Sequence, residues 1–227
     1  MQLGRFLIKQ ANYSRKQVLC LLVQQLVKVD GLVVTARDEV VSEFSEISVD
    51  GKVVQAKKIA RYYMMNKPQG ILSATADLQH KTVMDVMQQL GFDTVGLHIA
   101  GRLDRSTTGL ILLTNDGKWS RQIMEPSHKV AKVYLVTLAY PISPDTVEIF
   151  QQGIYFATEN ITTQPAQLER ISDLQYRLTI YEGRYHQVKR MFAFVGNRVV
   201  KLHRESVGEY CLFPELKLGD VCRLNPS

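Results

Sequence analysis

Residues 100–117, AGRLDRSTTGLILLTNDG, set a short polar loop around Asp104 directly ahead of an apolar run, Gly109-Leu110-Ile111-Leu112-Leu113. An apolar stretch of this length, bounded by turn signals, reads as a strand buried on both faces, and Asn115-Asp116-Gly117 ends it as a turn. The loop in front of it carries a carboxylate between Arg102 and Arg105. Neighbouring positive charge favours the ionised form of an acid, so Asp104 is a candidate nucleophile or ligand to a cation. Gly101 and Gly109 permit a sharp turn and the close approach of another chain or a substrate. The plainer alternative is that Asp104 caps a turn and pairs with Arg102.

Outward from this strand, residues 61–65 read as a second strand, stopped by Lys67-Pro68 because a proline ring cannot donate to a sheet ladder and disfavours helix before it. Residues 82–90 space Val83, Val86, Met87 and Leu90 along one helical face. Residues 118–124 and 144–152 read as further helices, 132–138 and 174–181 as alternating strands, 185–195 as a helix carrying Lys189 and Arg190, and 199–203 as a strand. Strands and helices mix without a regular βαβ beat, which predicts an α+β fold with a mixed, largely antiparallel sheet flanked by helices. Nearer the N-terminus, 3–10 has helical spacing and Ser14 caps a second helix. A hairpin turning at Asp30-Gly31 follows, then a strand ending at Asp50-Gly51. Residues 52–60 show scattered lysines and no periodicity and read as a link, dividing the chain into 1–57 and 58–227.

With 227 residues and 45% apolar content the chain can bury a substantial core, which excludes a disordered protein. Its 28 basic and 22 acidic residues give a net charge of +6, which favours a polyanionic partner. Cys20, Cys211 and Cys222 are odd in number and in no metal-binding spacing, so neither a disulfide framework nor structural zinc is expected. No apolar run approaches the roughly 20 residues that span a bilayer, and no secretory signal is read at the N-terminus. A cytoplasmic protein without membrane attachment is expected.

Three further motifs share the chain with Gly101-Arg102-Leu103-Asp104. They are Asn66-Lys67-Pro68-Gln69-Gly70, Lys132-Val133-Tyr134-Leu135-Val136 and Glu182-Gly183-Arg184-Tyr185-His186-Gln187-Val188-Lys189-Arg190-Met191. In this order the four motifs resemble the signature of the pseudouridine synthases that modify ribosomal RNA. Residues Ser14-Arg15 and Val27-Lys28-Val29-Asp30-Gly31 resemble the S4 RNA-binding domain, with Gly4 where that pattern usually has Asp and Gln24 where it commonly has Gly.

The resemblance implies an S4-like RNA-binding domain followed by a catalytic domain that flips a uridine out of its stack. Asp104 would be the nucleophile, forming a transient adduct with the base or the sugar. Tyr134 would stack on the base and help remove its C5 proton; standing alone it reads as an ordinary strand tyrosine. Lys189 would pair with a buried Asp104, and Ile180, with Leu178, would line the apolar side of the pocket. Arg102 could enter the vacated space, hold a phosphate, or pair with an acid. Lys67, Arg105, Arg184, His186, Gln187 and Arg190 would face RNA, with Arg198, Lys201, His203 and Arg204 adding positive charge, and Arg5, Arg15, Lys16 and Lys28 would do so on the N-terminal domain. The implied substrate is a uridine of 16S ribosomal RNA, position 516, in naked RNA or in a small-subunit assembly intermediate. The protein would act as a monomer with no cofactor and no metal. The rival readings are a synthase for large-subunit RNA and a non-catalytic RNA-binding or ribosome-assembly protein of the same fold.

Overall fold

The computed structural model describes residues 1–226 and divides them into two compact units, Met1–Ala60 and Arg61 onward. In the first unit, α1 (Leu3–Lys9) and α2 (Arg15–Val23) precede β1 (Val27–Val29), β2 (Leu32–Val33), β3 (Ile47–Val49) and β4 (Lys52–Gln55). The strands form a sheet in the order β2-β1-β3-β4. Ser14 caps α2 in a reciprocal capping box with Gln17, which satisfies two orphan donors of the first turn. Both hairpins turn on an Asp-Gly pair in which each residue is left-handed, with φ of 50° and 83° at Asp30-Gly31 and 49° and 75° at Asp50-Gly51, as a type I′ turn requires. Leu3, Leu7, Val18, Val27 and Ile47 form the core of this unit.

Two expectations are corrected here. Residues 52–55 are a strand and not part of a link, because the Asp50-Gly51 turn folds them back onto β3 and Gln55 Nε2 donates to the carbonyls of Ser42 and Ser45 at 2.8 and 2.7 Å. The unit ends at Ala60, a few residues past the cut at 57/58. At the end of α2 the left-handed residue is Gln25 (φ 59°), so the position that favours glycine lies one residue beyond Gln24. Gly4 has a packing reason, since a Cβ there would lie 2.3 Å from Arg37 Cγ.

The second unit comprises, in chain order, β5 (Tyr62–Lys67), α3 (Val83–Gln89), β6 (His98–Ala100), β7 (Thr108–Thr114), α4 (Gly117–Met124), β8 (Lys132–Leu138), α5 (Thr146–Gln152), β9 (Tyr155–Phe156), β10 (Ile161–Thr162), β11 (Gln167–Arg170), β12 (Gln175–Ile180), α6 (Gln187–Phe194), β13 (Val199–Val207), β14 (Tyr210–Cys211) and β15 (Val221–Leu224). Its large sheet runs β11-β12-β8-β13-β7-β5-β15, with β14 on β13 and β6 on β7. The β13–β7 pair is parallel, and the others in this sheet are antiparallel. The expected α+β class with a mixed, largely antiparallel sheet is what forms.

The run Leu110–Leu113 is apolar throughout because both faces of β7 are covered. Ile111 and Leu113 pack with Met84 and Met87 of α3, while Leu110 and Leu112 pack with Trp119 and Ile123 of α4. Fully burying each such side chain stabilises the fold by about 1.5–3 kcal/mol. A further core joins β8 and β12 to α5 and α6, where the rings of Phe150 and Phe192 meet edge to face at 5.0 Å. These layers hold the loop between β6 and β7, which carries Asp104, against the start of α6.

Candidate active site

The 101–107 loop is fixed through its own carbonyls. Lys67, at the end of β5, donates from Nζ to the carbonyls of Asp104, Arg105 and Thr107 at 3.2, 3.4 and 2.9 Å, and to that of Pro68 at 3.1 Å. Arg204 of β13 donates from Nη2 to Gly101 O at 2.8 Å and from Nη1 to Arg102 O at 3.3 Å, and its Nε reaches Leu110 O at 2.8 Å. Ser73 Oγ donates to Leu103 O at 2.7 Å. Lys67 and Arg204 are almost wholly buried, at 0% and 1% exposure. Burial pulls the Lys67 ammonium down to about 8; the Asp104 charge opposes this shift and Arg204 adds to it. Both residues were expected to face RNA, and both are instead internal clamps.

Gly109 is required by the same packing. It has φ 105°, and a Cβ on it would lie 2.3 Å from the carbonyl oxygen of Arg204, its register partner across the parallel pair. The close approach allowed by glycine is therefore made by the protein's own strand.

On this loop the Asp104 carboxylate lies 3.1 Å from Lys189 Nζ through Oδ2 and 3.5 Å from His186 Nε2 through Oδ1. Lys189 also donates to Ser106 Oγ at 2.8 Å. The Asp104 side chain retains 28% exposure, so it stands at the edge of a cleft and is not the buried acid anticipated. Its basic neighbours Lys189 and His186 come from the start of α6. Neither Arg102 nor Arg105 forms an ion pair among the described residues. Arg105 Nε donates to Gly70 O at 3.1 Å, and Arg102 lies exposed at the cavity mouth.

The cavity beside Asp104 has a volume of about 320 Å³ and is lined in part by Leu103, Tyr134, Ile180, Lys132 and Lys189. That size lies at the small end of ligand-binding clefts. Tyr134 sits in β8 between Leu178 of β12 and Arg204 of β13 and is 7% exposed. Ile180 lines the cavity, but Leu178 does not; it is buried in the core with Phe192.

The remaining expected contacts divide. Gln187 is buried, donating from Nε2 to Glu182 Oε1 at 2.7 Å and accepting from Arg184 N at 3.0 Å. Arg184 pairs with Glu182 and Glu159. Arg190 pairs with Glu159 and lies with Cζ 3.7 Å over the Phe156 ring, so it braces the β9 region while 27% of its side chain stays exposed. The Arg190 and Arg184 guanidiniums hold Glu159 below the usual carboxylate range. On the first unit Arg5, Arg15, Lys16 and Lys28 are all exposed.

Two cavity residues were missed. Lys132 donates to Val130 O at 3.2 Å, and burial, reinforced by Arg204, lowers its affinity for a proton. Strand alternation places it on the face of Tyr134 two residues on, a signal present in the motif already quoted. Thr107 Oγ1 is buried with no hydrogen-bond partner among the described residues, and its neighbours in sequence give no hint of that.

Residues 61–194 match the family described as RNA pseudouridylate synthase. Over 225 residues the chain is 47% identical to ribosomal small subunit pseudouridine synthase A of Pseudomonas aeruginosa, covering 99% of this chain and 97% of the relative. It is 43% identical over 220 residues to the protein of the same name from Escherichia coli K12, covering 97% and 94%. Among solved structures it resembles a pseudouridylate synthase with a TM-score of 0.70 and 38% identity, over 99% of this chain and 96% of the other.

Proposed function

The chain belongs to the RNA pseudouridylate synthase family, and from that premise we propose that it converts a uridine of small-subunit ribosomal RNA to pseudouridine with Asp104 as nucleophile. The observation that carries this reading is the Asp104 carboxylate, held by Lys189 and His186 at the edge of a cavity lined by Tyr134 and Ile180. A tied loop beneath the acid fixes its position, and positioning of this kind removes much of a reaction barrier.

The isomerisation breaks the N1–C1′ bond and joins C1′ to C5. The C5 proton leaves, N1 gains one, and no oxidant or reductant is consumed. Asp104 forms the transient bond to the nucleoside that allows the base to turn. Lys189 holds the carboxylate in position through its 3.1 Å contact with Oδ2. The Tyr134 ring offers a face for the flipped uracil and its hydroxyl a route for the C5 proton. Ile180 supplies apolar wall, and the exposed Arg102 and Arg105 meet phosphate.

The relatives' names support small-subunit RNA as the substrate, and we assign the target to position 516 of 16S RNA, in the cytoplasm. We read the first unit as an S4-like RNA-binding domain. This reading is supported by its two helices, its Asp-Gly hairpin after Val27-Lys28-Val29 and its exposed Arg5, Arg15, Lys16 and Lys28. Incubating the protein with small- and large-subunit RNA, free and in assembly intermediates, and mapping pseudouridine by primer-extension stops tests the substrate. One stop in the small-subunit RNA is expected; product confined to large-subunit RNA would overturn the assignment.

A further inference from the structure

Next to the Asp104 cavity, and sharing with it Arg102, Asp104, Arg184 and His186 among others, is a second cleft of about 490 Å³ to which Ser73, Arg105, Tyr185 and a second acid, Asp77, contribute. Tyr185 is 74% exposed. One face of its ring lies on His186, with centroids 3.8 Å apart and planes 20° from parallel. His186 in turn places Nε2 3.5 Å from Asp104. His186 is left-handed, with φ 51°, a conformation that costs a non-glycine residue free energy and persists where the surroundings impose it. The Tyr185 carbonyl is tied to Arg190 Nη1 at 3.3 Å. The backbone at Tyr185 and the His186 ring are thus tied, and a flat face of the Tyr185 ring is left open beside three arginines.

We propose that Tyr185, backed by His186, is a stacking platform for the nucleobase adjacent to the flipped uridine. The nucleotides on either side of a flipped base are covalently tied to it, so one of them must lie one backbone step from Asp104, where this cleft is. Aromatic faces accept any base, and Arg102 and Arg105 carry the charge that the accompanying phosphates need. Tyr185 therefore selects an unstacked neighbour, which makes the accessibility of the strand around the target part of site choice.

This inference rests on the proposed function, and the test separates the two. Product formation and equilibrium binding are measured for wild type, Tyr185→Ala and Tyr185→Phe on small-subunit RNA, intact or carrying an abasic residue 5′ or 3′ to the target. Tyr185→Ala is expected to lower kcat/KM and weaken binding roughly 5- to 150-fold, the range of base–aromatic stacking, while Tyr185→Phe stays near wild type. An abasic residue on one side should impose the same loss on wild type and none on Tyr185→Ala. Wild-type behaviour of Tyr185→Ala, or losses that multiply when variant and abasic site are combined, would overturn the platform. Absence of product with wild type on intact RNA would sink the enzymatic reading, and the binding comparison would still decide the platform.

Discussion

Replacing Lys67 with methionine removes an ammonium that touches no substrate, and it should cost far more activity than stability. The stability change is a small difference between opposing effects. Holding the charge inside the protein pulls Lys67 from 10.5 to about 8, an electrostatic cost of roughly 3 kcal/mol at 1.36 kcal/mol per pH unit. Methionine of similar length removes that cost. Against this, four carbonyls lose a donor. Those of Asp104 and Arg105 keep Thr107 N and Gly70 N at 3.0 and 2.8 Å, whereas those of Pro68 and Thr107 gain no replacement. Leaving two acceptors short costs about 1–3 kcal/mol each. The net change then lies between about 1 kcal/mol of stabilisation and about 3 kcal/mol of destabilisation. Activity should fall about 100-fold or more, because a displacement near 1 Å at a reacting group costs on that order. Thermal melting and single-turnover kinetics measure the two quantities. Wild-type turnover in Lys67→Met, or loss of the fold with no separable effect on rate, would refute the clamp.

The same residue gives a pH signature. Because its folded value lies below its unfolded one, the unfolded chain holds more protons between about 8 and 10.5, and the contribution of Lys67 to stability rises across that window. In the folded chain the ammonium is half lost at about pH 8, which weakens its hold on the loop, so activity falls from about that pH while this contribution rises. Lys67→Met should lack both limbs.

Gly109→Ala should destabilise the catalytic unit by about 2–6 kcal/mol, combining a strained positive φ with overpacking against the Arg204 backbone; a melting temperature equal to wild type would contradict the close approach of β7 and β13. Arg190→Ala should lower stability by about 1–2 kcal/mol through loss of its stack on Phe156 and its pair with Glu159, leaving KM for RNA within twofold. A raised KM with unchanged melting would return Arg190 to the RNA surface.

What could be read from the chain follows from the range of the interactions involved. The buried strand at 109–113, the Ser14 cap and the Asp30-Gly31 hairpin are local signals, and all form. The pairing of Asp104 with Lys189 spans 85 residues; spacing alone could not reach it, and it came from the resemblance of the ordered motifs. Lys67 and Arg204 misled because a basic residue beside a motif looks the same whether it faces solvent or points inward; only the arrival of the 101–107 carbonyls decides it. Arg184 and Arg190 also brace the fold in a way the motif does not show, since their common partner Glu159 lies 25 and 31 residues earlier. The short strands β9, β10, β14 and β15 are too brief to show a period and are fixed by pairing with distant segments. Leu178 and Ile180 share one strand face, and which of them reaches a cavity depends on the helices packed over that face.

Release of tritium from C5-labelled uridine in small-subunit RNA, comparing wild type with Asp104→Asn while RNA binding is measured alongside, tests the central claim most directly. The account predicts release by wild type and none by Asp104→Asn, with binding retained or strengthened because a negative charge is gone. Release by Asp104→Asn at the wild-type rate would contradict it.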